Sequence, residues 1–444
     1  MMKENIEKHR LKKQHLAVII VFTIGTVIRL FFTPFSTGSD IPQFLNFANT
    51  MARHGFCFYM YATGEQWVEE QWSYPWPYVY SPFWVTLLYI LKLIANGTVK
   101  ISYTNSLHIV KVSTSWIIAV KSVLVISDVI VALIIYKLSK RATYTALYYL
   151  NPVTIYNSSI YGMFDNVALM LLLISLCYFR KRKQLSMVFS GLAVTLKQTI
   201  LLASLPLLLK TWILTKGSKT KLIKYVSLFL LPFVVITGPF LLFCPESWTN
   251  IVKCLTMPAT IYYTEPICYS FNGVSSLATY IHKVFGVETI YVLKILFMVF
   301  AVASIVMLHR SAFLLKRNVE TWVLCYCLYL VFPTFYWRVN YQYFVPVVGL
   351  GCLALSKVKV GILRTLILVT IIYPSLWFFM FPVTFWFHAH MFEPNIILIR
   401  WLSIISLNIY CDHILYIIYS LGLTAIYFLT LLLIMVKTKE LKIA

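Results

Sequence analysis

Long apolar runs recur along this chain from end to end, separated by short polar or basic segments. Only 12% of the 444 residues are charged and the mean hydropathy is +0.79, whereas a soluble domain carries about 25% charged residues. In lipid, helices satisfy their own backbone hydrogen bonds. The sequence therefore predicts an all-α polytopic membrane protein with about 11–13 transmembrane helices, in the runs near 16–33, 82–96, 115–137, 143–158, 165–179, 186–209, 224–243, 289–308, 319–334, 341–356, 360–381, 395–410 and 413–436.

The basic residues predict the orientation of these helices. The net charge of +23 comes from short clusters between apolar runs, which is typical of cytoplasmic loops rather than of a nucleic-acid-binding surface. Simple alternation through the run at 82–96 would place Lys140 outside, in conflict with the other clusters. Either this short run does not cross or one weak span is miscounted. The clusters that set the orientation are Lys140–Arg141, Arg180–Lys183, Lys210–Lys224 and Arg310–Arg317.

Two long polar segments divide the chain, and we predict that both are extracytoplasmic loops. The first spans residues 34–82 and the second spans 244–286, with short helices expected in the second. The division that follows is a membrane module at 1–243, the second loop, and C-terminal transmembrane helices at 287–444. The acids of the two loops are Asp40, Glu65, Glu69, Glu70, Glu246 and Glu265.

Several polar residues interrupt the apolar runs, and each has a structural as well as a functional interpretation. An ionisable side chain in an apolar span costs about 2.5–3.5 kcal/mol and usually faces a polar cavity. Lys197 either snorkels to the interface or faces such a cavity with Gln198 beside it. Arg338 is either an ordinary loop cation or part of a cluster with Asn340 and Gln342. Asp40 and Asp165 each either cap a helix or contribute to a site.

Taken together, these residues favour one kind of chemistry. A carboxylate just past the first span can take a proton from a hydroxyl acceptor. Cations at membrane level can hold a phosphate. The combination suits transfer from a phosphate-linked lipid donor to a hydroxyl group. The chain contains neither GxxxxGK[ST] nor GxGxxG, so no nucleotide-binding glycine motif is present.

Five motifs, in order, carry a resemblance to a known superfamily. The resemblance covers about residues 28–209 and a second stretch near 337–346. The chain resembles the GT-C glycosyltransferases that use polyprenyl-phosphate sugars, above all the dolichyl-phosphate-glucose transferases of lipid-linked oligosaccharide assembly and the first mannosyltransferase of GPI-anchor assembly. The motifs are GSDIPQFLNFANTMA, the Tyr80-Ser81-Pro82 start of the second run, KSVLVISDVIVALIIY, NPVTIYNSSIYGMFDNVALM and GLAVTLKQTILLASLP.

The resemblance implies a function and a set of roles. It implies an inverting hexosyltransferase that moves mannose or glucose from a polyprenyl-phosphate or dolichyl-phosphate donor to a glycan or glycolipid acceptor. Asp40 would be the general base, and Asp165 would orient the acceptor or share a divalent ion, Mg²⁺ or Mn²⁺, with Asp40. Lys197, Arg338 and Gln198 would hold the donor phosphate. The residues assigned to the acceptor are Tyr80, Asn166, Asn340 and Gln342.

Two departures and two alternatives stay open. The oligosaccharide branch has a His-Glu-Lys cluster where this chain has Arg338, Asn340 and Gln342, whereas Gln342-Tyr343-Phe344 matches the GPI branch. The GPI branch has a carboxylate pair in its first loop, and no second acid adjoins Asp40. A secondary transporter or lipid flippase would also explain broken helices with buried ions, and a scaffold subunit with an inactive fold is a third interpretation. The enzyme would lie in a prokaryotic plasma membrane or in the endoplasmic reticulum membrane, with its site on the extracytoplasmic or lumenal side.

Overall fold

The structure is a computed structural model that describes residues 2–104, 107–215, 218–264, 270–358, 361–379, 385–386, 390–391 and 412–436. Glu265 and the predicted helix at 395–410 lie outside the described residues. The fold class predicted from the sequence is confirmed, because the described chain is 78% helical with almost no sheet.

Seventeen α-helices lie in the described part of the chain. Five are long and apolar enough to span a bilayer, and they are α1, α4, α10, α13 and α17. In chain order the helices are α1 Met2–Phe32, α2 Asp40–His54, α3 Pro82–Ile94, α4 Thr114–Ser139, α5 Ala142–Tyr149, α6 Pro152–Ile155, α7 Asp165–Tyr178, α8 Lys183–Leu196, α9 Leu201–Leu214, α10 Lys219–Phe243, α11 Trp248–Thr256, α12 Gly273–Phe285, α13 Ile290–Lys316, α14 Thr321–Phe335, α15 Phe344–Leu355, α16 Ile362–Ile372 and α17 His413–Val436.

Two short helices, α14 and α15, form the centre of the bundle. All but one of the residues of α14 and all of those of α15 are buried, as expected of helices that are apolar all round. The long helices α10 and α13 lie at the periphery and leave most of their apolar side chains exposed or only half-buried. Such exposed apolar faces are the surfaces that lipid covers in an integral membrane protein.

A buried polar network ties the N-terminal helices together. Arg29 of α1 donates from Nε to Asp128 of α4 at 3.0 Å, and both side chains are fully buried. Arg29 also donates to the Tyr149 carbonyl at 2.6 Å, and Tyr148 donates to Asp128 at 2.7 Å. Because removing one partner of such a pair leaves an uncompensated buried charge, this network fixes how α1, α4 and α5 pack.

The basic clusters meet at one end of the bundle, here called the basic end. Arg180 lies 3.2 Å from Glu320, and Lys210 donates to Thr321 at 2.8 Å. The Ala142 amide donates to Gln14 at 2.9 Å, which places the C-terminal end of α4 beside the N-terminal part of α1. The opposite end, which carries the two long loops, is here called the loop end.

The position of α3 explains the conflict in the alternation of the spans. This helix has 13 residues and is about 20 Å long, too short for the roughly 30 Å of a bilayer core. A β-hairpin of β1 (Val99–Thr104) and β2 (Leu107–Val112) then leads into α4. Lys121, near the start of α4, contacts the C-terminal end of α1. Both helices therefore meet at the loop end, so the chain between them, α3 included, starts and finishes at that end.

The hairpin and two short strands form a sheet that the sequence did not predict. Strand β2 pairs in parallel with β4 (His390–Met391), which pairs antiparallel with β3 (Phe385–Trp386), giving the order β1-β2-β4-β3. The alternation of apolar and polar residues in VKISYT and LHIVKV was the available signal.

Two predicted helices are interrupted, and the sequence shows why. The run at 143–158 is divided into α5 and α6 at Pro152, which lacks a backbone donor, and continues as a π-helical turn at Tyr156–Tyr161. The run at 186–209 breaks at Lys197, whose backbone is extended between α8 and a 3₁₀ turn at Gln198–Ile200. At both interruptions irregular backbone lies next to buried polar side chains, which membrane proteins tolerate around a cavity.

A disulfide joins the two long loops. Cys57 lies in the 3₁₀ turn Gly55–Met60 and pairs with Cys244, directly after α10, across 187 residues of sequence. The Cα atoms are 5.2 Å apart, within the range of native disulfides. A second contact between these loops is the exposed pair of Lys253 and Glu65 at 2.8 Å.

Candidate active site

A buried ion pair lies at the loop end where two helix termini meet. Lys197 follows α8, Asp165 begins α7, and the Lys197 ammonium lies 3.2 Å from Asp165 Oδ2. Both side chains are buried, and beyond this pair neither the Asp165 oxygens nor Lys197 Nζ has a hydrogen-bond partner in the described chain. A buried charge with unused hydrogen-bonding capacity is typical of a site completed by a ligand.

Three aromatic rings surround the ammonium group of Lys197. The distances from Nζ to the ring centroids are 4.6 Å for Phe164, 5.0 Å for Tyr80 and 5.6 Å for Tyr343. A cation within about 6 Å of an aromatic face is attracted by the ring quadrupole. The cage therefore keeps the charge in place without neutralising it, and its ring faces also suit a sugar.

The segment that carries Asp40 is docked against the segment that carries Asp165. The Gly38 amide donates to the Tyr161 carbonyl at 2.8 Å, and the hydroxyls of Ser39 and Tyr161 are 3.0 Å apart. A Cβ at Gly38 would lie 2.5 Å from the Tyr161 ring, so this close approach requires glycine. The start of α2, with Asp40 in its first turn, is thereby brought to the site.

The environment of Asp40 suits a general base. Although part of its side chain is open, burial of the carboxyl raises the pKa of Asp40 to about 7, with the positive charge of Lys197 lowering it and the negative charge of Asp165 raising it. A catalytic base is most effective when its pKa lies near the working pH. Asp40, Asp165 and Lys197 thus form one electrostatically coupled group.

Arg338 lies near the aromatic cage, on the loop between α14 and α15. Its guanidinium donates to the Tyr262 hydroxyl and lies 5.2 Å above the Tyr262 ring. Burial lowers the Arg338 pKa, and its charge is coupled to Tyr343 and Tyr80 of the cage. The second long loop holds this segment, because the Phe271 amide donates to the Val339 carbonyl at 2.8 Å.

The other predicted site residues are placed differently. Asn166 is turned toward α4, where its amide donates to the Leu124 carbonyl at 2.6 Å and to Asp128 at 3.2 Å. Gln198 is exposed, Asn340 half-buried and Gln342 buried. Asn340 and Gln342 share the Arg338 loop. Nothing in these positions tests their predicted contacts with substrate.

Asp40 and Asp165 are the two carboxylates of the site that a divalent metal ion would need. Mg²⁺ and Mn²⁺ sites use several oxygen ligands in octahedral geometry. Here the Lys197 ammonium lies against Asp165, and the cage walls are ring faces. No group of three or more His, Cys, Asp or Glu side chains with metal-binding geometry occurs among the described residues.

Sequence reasoning missed several residues of this region. Phe164 and Tyr343 complete the cage, and each adjoins a residue that the motifs had singled out, Asp165 and Gln342. Lys121 and Asp128 lie in the motif KSVLVISDVIVALIIY, but no role was predicted for either, although charged residues within an apolar run are a signal for buried polar function. The Cys57–Cys244 pair had no signal, because pairing cannot be deduced from nine cysteines.

Comparison with known proteins identifies the family. The family model of glycosyltransferase family 87 matches residues 78–333, more than half of the chain. The matched range includes Tyr80, Asp165 and Lys197, while Asp40 and Arg338 lie outside it. No curated protein matches the chain. With its apolar spanning helices and this match, the chain is a membrane glycosyltransferase and belongs to glycosyltransferase family 87.

Proposed function

We propose that this protein transfers a hexose, mannose or glucose, from a polyprenyl-phosphate donor to a hydroxyl of a glycan or lipid-linked acceptor. The observation that carries the proposal is the buried group at the loop end, in which Lys197 pairs with Asp165 at 3.2 Å and Asp40 is coupled to both. The family match favours transfer over the transporter and flippase interpretations.

In the proposed reaction Asp40 takes the proton of the acceptor hydroxyl as that oxygen attacks the anomeric carbon. The bond from that carbon to the phosphate oxygen breaks, and the lipid phosphate leaves with its negative charge. Arg338 and Lys197 stabilise this charge, since preorganised cations act most strongly where charge develops. Inversion follows from a single displacement.

Roles for the remaining predicted residues follow from their positions. Asp165 is proposed to hold Lys197 rather than to bind a metal ion, and Tyr80 is proposed to contact the sugar from its place in the cage around Lys197. Gln198, Asn340 and Gln342 remain candidates for contacts with donor or acceptor. The transfer is proposed to need no divalent cation.

The loop end is proposed to face the extracytoplasmic or lumenal side of the membrane. Two independent features support this orientation. The Cys57–Cys244 disulfide joins the loops at that end, and disulfides persist in oxidising compartments. The Arg180 and Lys210 clusters lie at the opposite end, as the positive-inside rule requires.

The test is transfer of labelled hexose from polyprenyl-phosphate mannose or glucose by the purified, reconstituted protein. Asp40→Asn is expected to lower transfer by at least about 10²-fold, because the amide cannot accept the proton. The matched control Glu320→Gln, at the basic end, should transfer normally. Activity should persist in EDTA. Near-normal transfer by Asp40→Asn would remove Asp40 as the base, and loss of wild-type activity in EDTA with recovery in Mn²⁺ would overturn the metal-independent scheme.

A further inference from the structure

The side chain of Lys121 is fully buried in α4 and is surrounded by backbone oxygens. Its ammonium donates to the carbonyls of Ser36, of Ser159 at 2.8 Å and of Ile160 at 3.0 Å. The Thr33 carbonyl lies at 3.4 Å. In the described chain no carboxylate forms an ion pair with it. An ammonium has three protons to donate, and backbone carbonyls accept them here.

These carbonyls belong to two chain segments that have left regular helix geometry. Ser36 follows the end of α1, whereas Ser159 and Ile160 lie in the π-helical turn before Gly162, whose φ is +100°. Carbonyls at such ends lack intrahelical partners, and leaving them unpaired in the interior would cost about 1–3 kcal/mol each. Lys121 satisfies both segments at once.

Each of these segments leads directly to one carboxylate of the site. Ser36 precedes Asp40 by four residues, and Ile160 precedes Asp165 by five. The segments also bond to each other through Gly38 and Tyr161. A Cβ at Gly162 would lie 2.6 Å from Ile41 and 3.5 Å from Cε of Lys121, so the glycine admits both neighbours.

We propose that Lys121 is a positioning residue that sets the separation of the Asp40 and Asp165 carboxylates. The proposal rests on the function proposed above. Lys121 fastens both segments to the rigid helix α4, so a change in its length or hydrogen bonding moves the carboxylates relative to each other. It touches neither substrate nor the reacting atoms.

The experiment compares Lys121→Met with Arg364→Met. Arg364 is a matched control because it also donates to carbonyls, those of Leu355 at 3.4 Å and Val358 at 3.2 Å. These carbonyls lie at the C-terminal end of α15, whose other end begins beside the cage residue Tyr343. The two variants therefore remove the same kind of contact, Lys121→Met at the segments that lead to the carboxylates and Arg364→Met at the end of α15 away from the cage.

For Lys121→Met we expect kcat to fall by about 10²-fold, the loss associated with misplacement by about 1 Å, while the donor KM stays near that of the wild type. The acidic limb of the pH profile should move, because the charges around Asp40 change position. Hydrogen exchange should rise together in residues 36–42 and 157–166. Arg364→Met should lose stability without any of these effects.

Each outcome decides the proposal. A Lys121→Met protein with normal kcat, an unmoved pH limb or unchanged exchange in the two segments would overturn it. If Lys121→Met does not fold, two milder variants replace it. Lys121→Gln retains two donors, and Gly38→Ala separates the same two segments where Gly38 contacts Tyr161. Both should give the same kinetic and hydrogen-exchange changes, but smaller. If hydrogen exchange in the two segments rises in Lys121→Met but the wild-type protein transfers no hexose, the proposed function is refuted, whereas the role of Lys121 in holding the two segments is supported.

Discussion

At the scale of single residues, the site depends on the electrostatic interaction of one cation, Lys197, with two carboxylates. Lys197 lies 3.2 Å from Asp165. Its charge also lowers the pKa of Asp40, against the rise that burial causes. An opposite charge favours the ionised form of a carboxyl group, and a like charge disfavours it. Removing Lys197 or Asp165 should therefore shift the titration of Asp40 in opposite directions.

The resulting prediction concerns the pH dependence of transfer. Wild-type kcat/KM should rise with pH and level off above about 7, because Asp40 must be ionised to accept a proton and its pKa is about 7. Lys197→Met should move this limb to higher pH and Asp165→Asn should move it to lower pH. The measurement is kcat/KM from pH 5 to 9, with Glu320→Gln as the unshifted control. Shifts of the same sign in both variants would contradict the proposed coupling.

At the scale of elements, the site is built where regular structure stops. The π-helical turn Tyr156–Tyr161 precedes Asp165, and the extended backbone at Lys197 separates α8 from α9. Both interruptions of the helices could be predicted from the sequence, one from Pro152 and the other from the polar pair Lys197-Gln198. The form of the π turn could not be predicted, because it depends on Lys121 and on Gly38 from distant parts of the chain.

The two long loops are elements whose relation depends on the Cys57–Cys244 disulfide. The first loop carries Asp40, and the second carries Tyr262, which binds Arg338. Loss of a native disulfide commonly costs about 2–5 kcal/mol, so separating the loops should loosen both walls of the site.

We therefore predict that Cys57→Ser, Cys244→Ser and the double variant each lower the melting temperature by about 5 °C. The three losses should be equal, since one bond is lost in each, and reduction of the wild type should reproduce them. The measurement is thermal unfolding in detergent, with Cys177→Ser in α7 as the control. Additive losses in the double variant would show that the two cysteines act separately.

At the scale of the whole molecule, hydropathy and charge were sufficient for the fold class but not for the path of the chain. Apolar runs predicted the helical bundle, and the Lys140 and Arg180 clusters predicted that their loops share a side. The 82–96 run was ambiguous because length alone does not say whether a short helix crosses. The antiparallel arrangement of α1 and α4 shows that the chain between them starts and finishes at the loop end, and it involves residues more than 80 positions apart.

The contacts among the clusters lead to a prediction about the orientation of the whole protein. Single cysteines at Met60, Arg182 and Thr220, all exposed positions, are introduced into a background without reactive native thiols. An impermeant maleimide added to intact cells or sealed vesicles should label position 60 from the extracytoplasmic side, and positions 182 and 220 only after permeabilisation. The reason is that position 60 lies in the disulfide-linked loop region, whereas the other two lie in basic clusters that the positive-inside rule retains in the cytoplasm. Labelling of position 182 from outside would reverse the orientation and place Asp40, Asp165 and Lys197 on the cytoplasmic side, where an extracytoplasmic acceptor could not reach them.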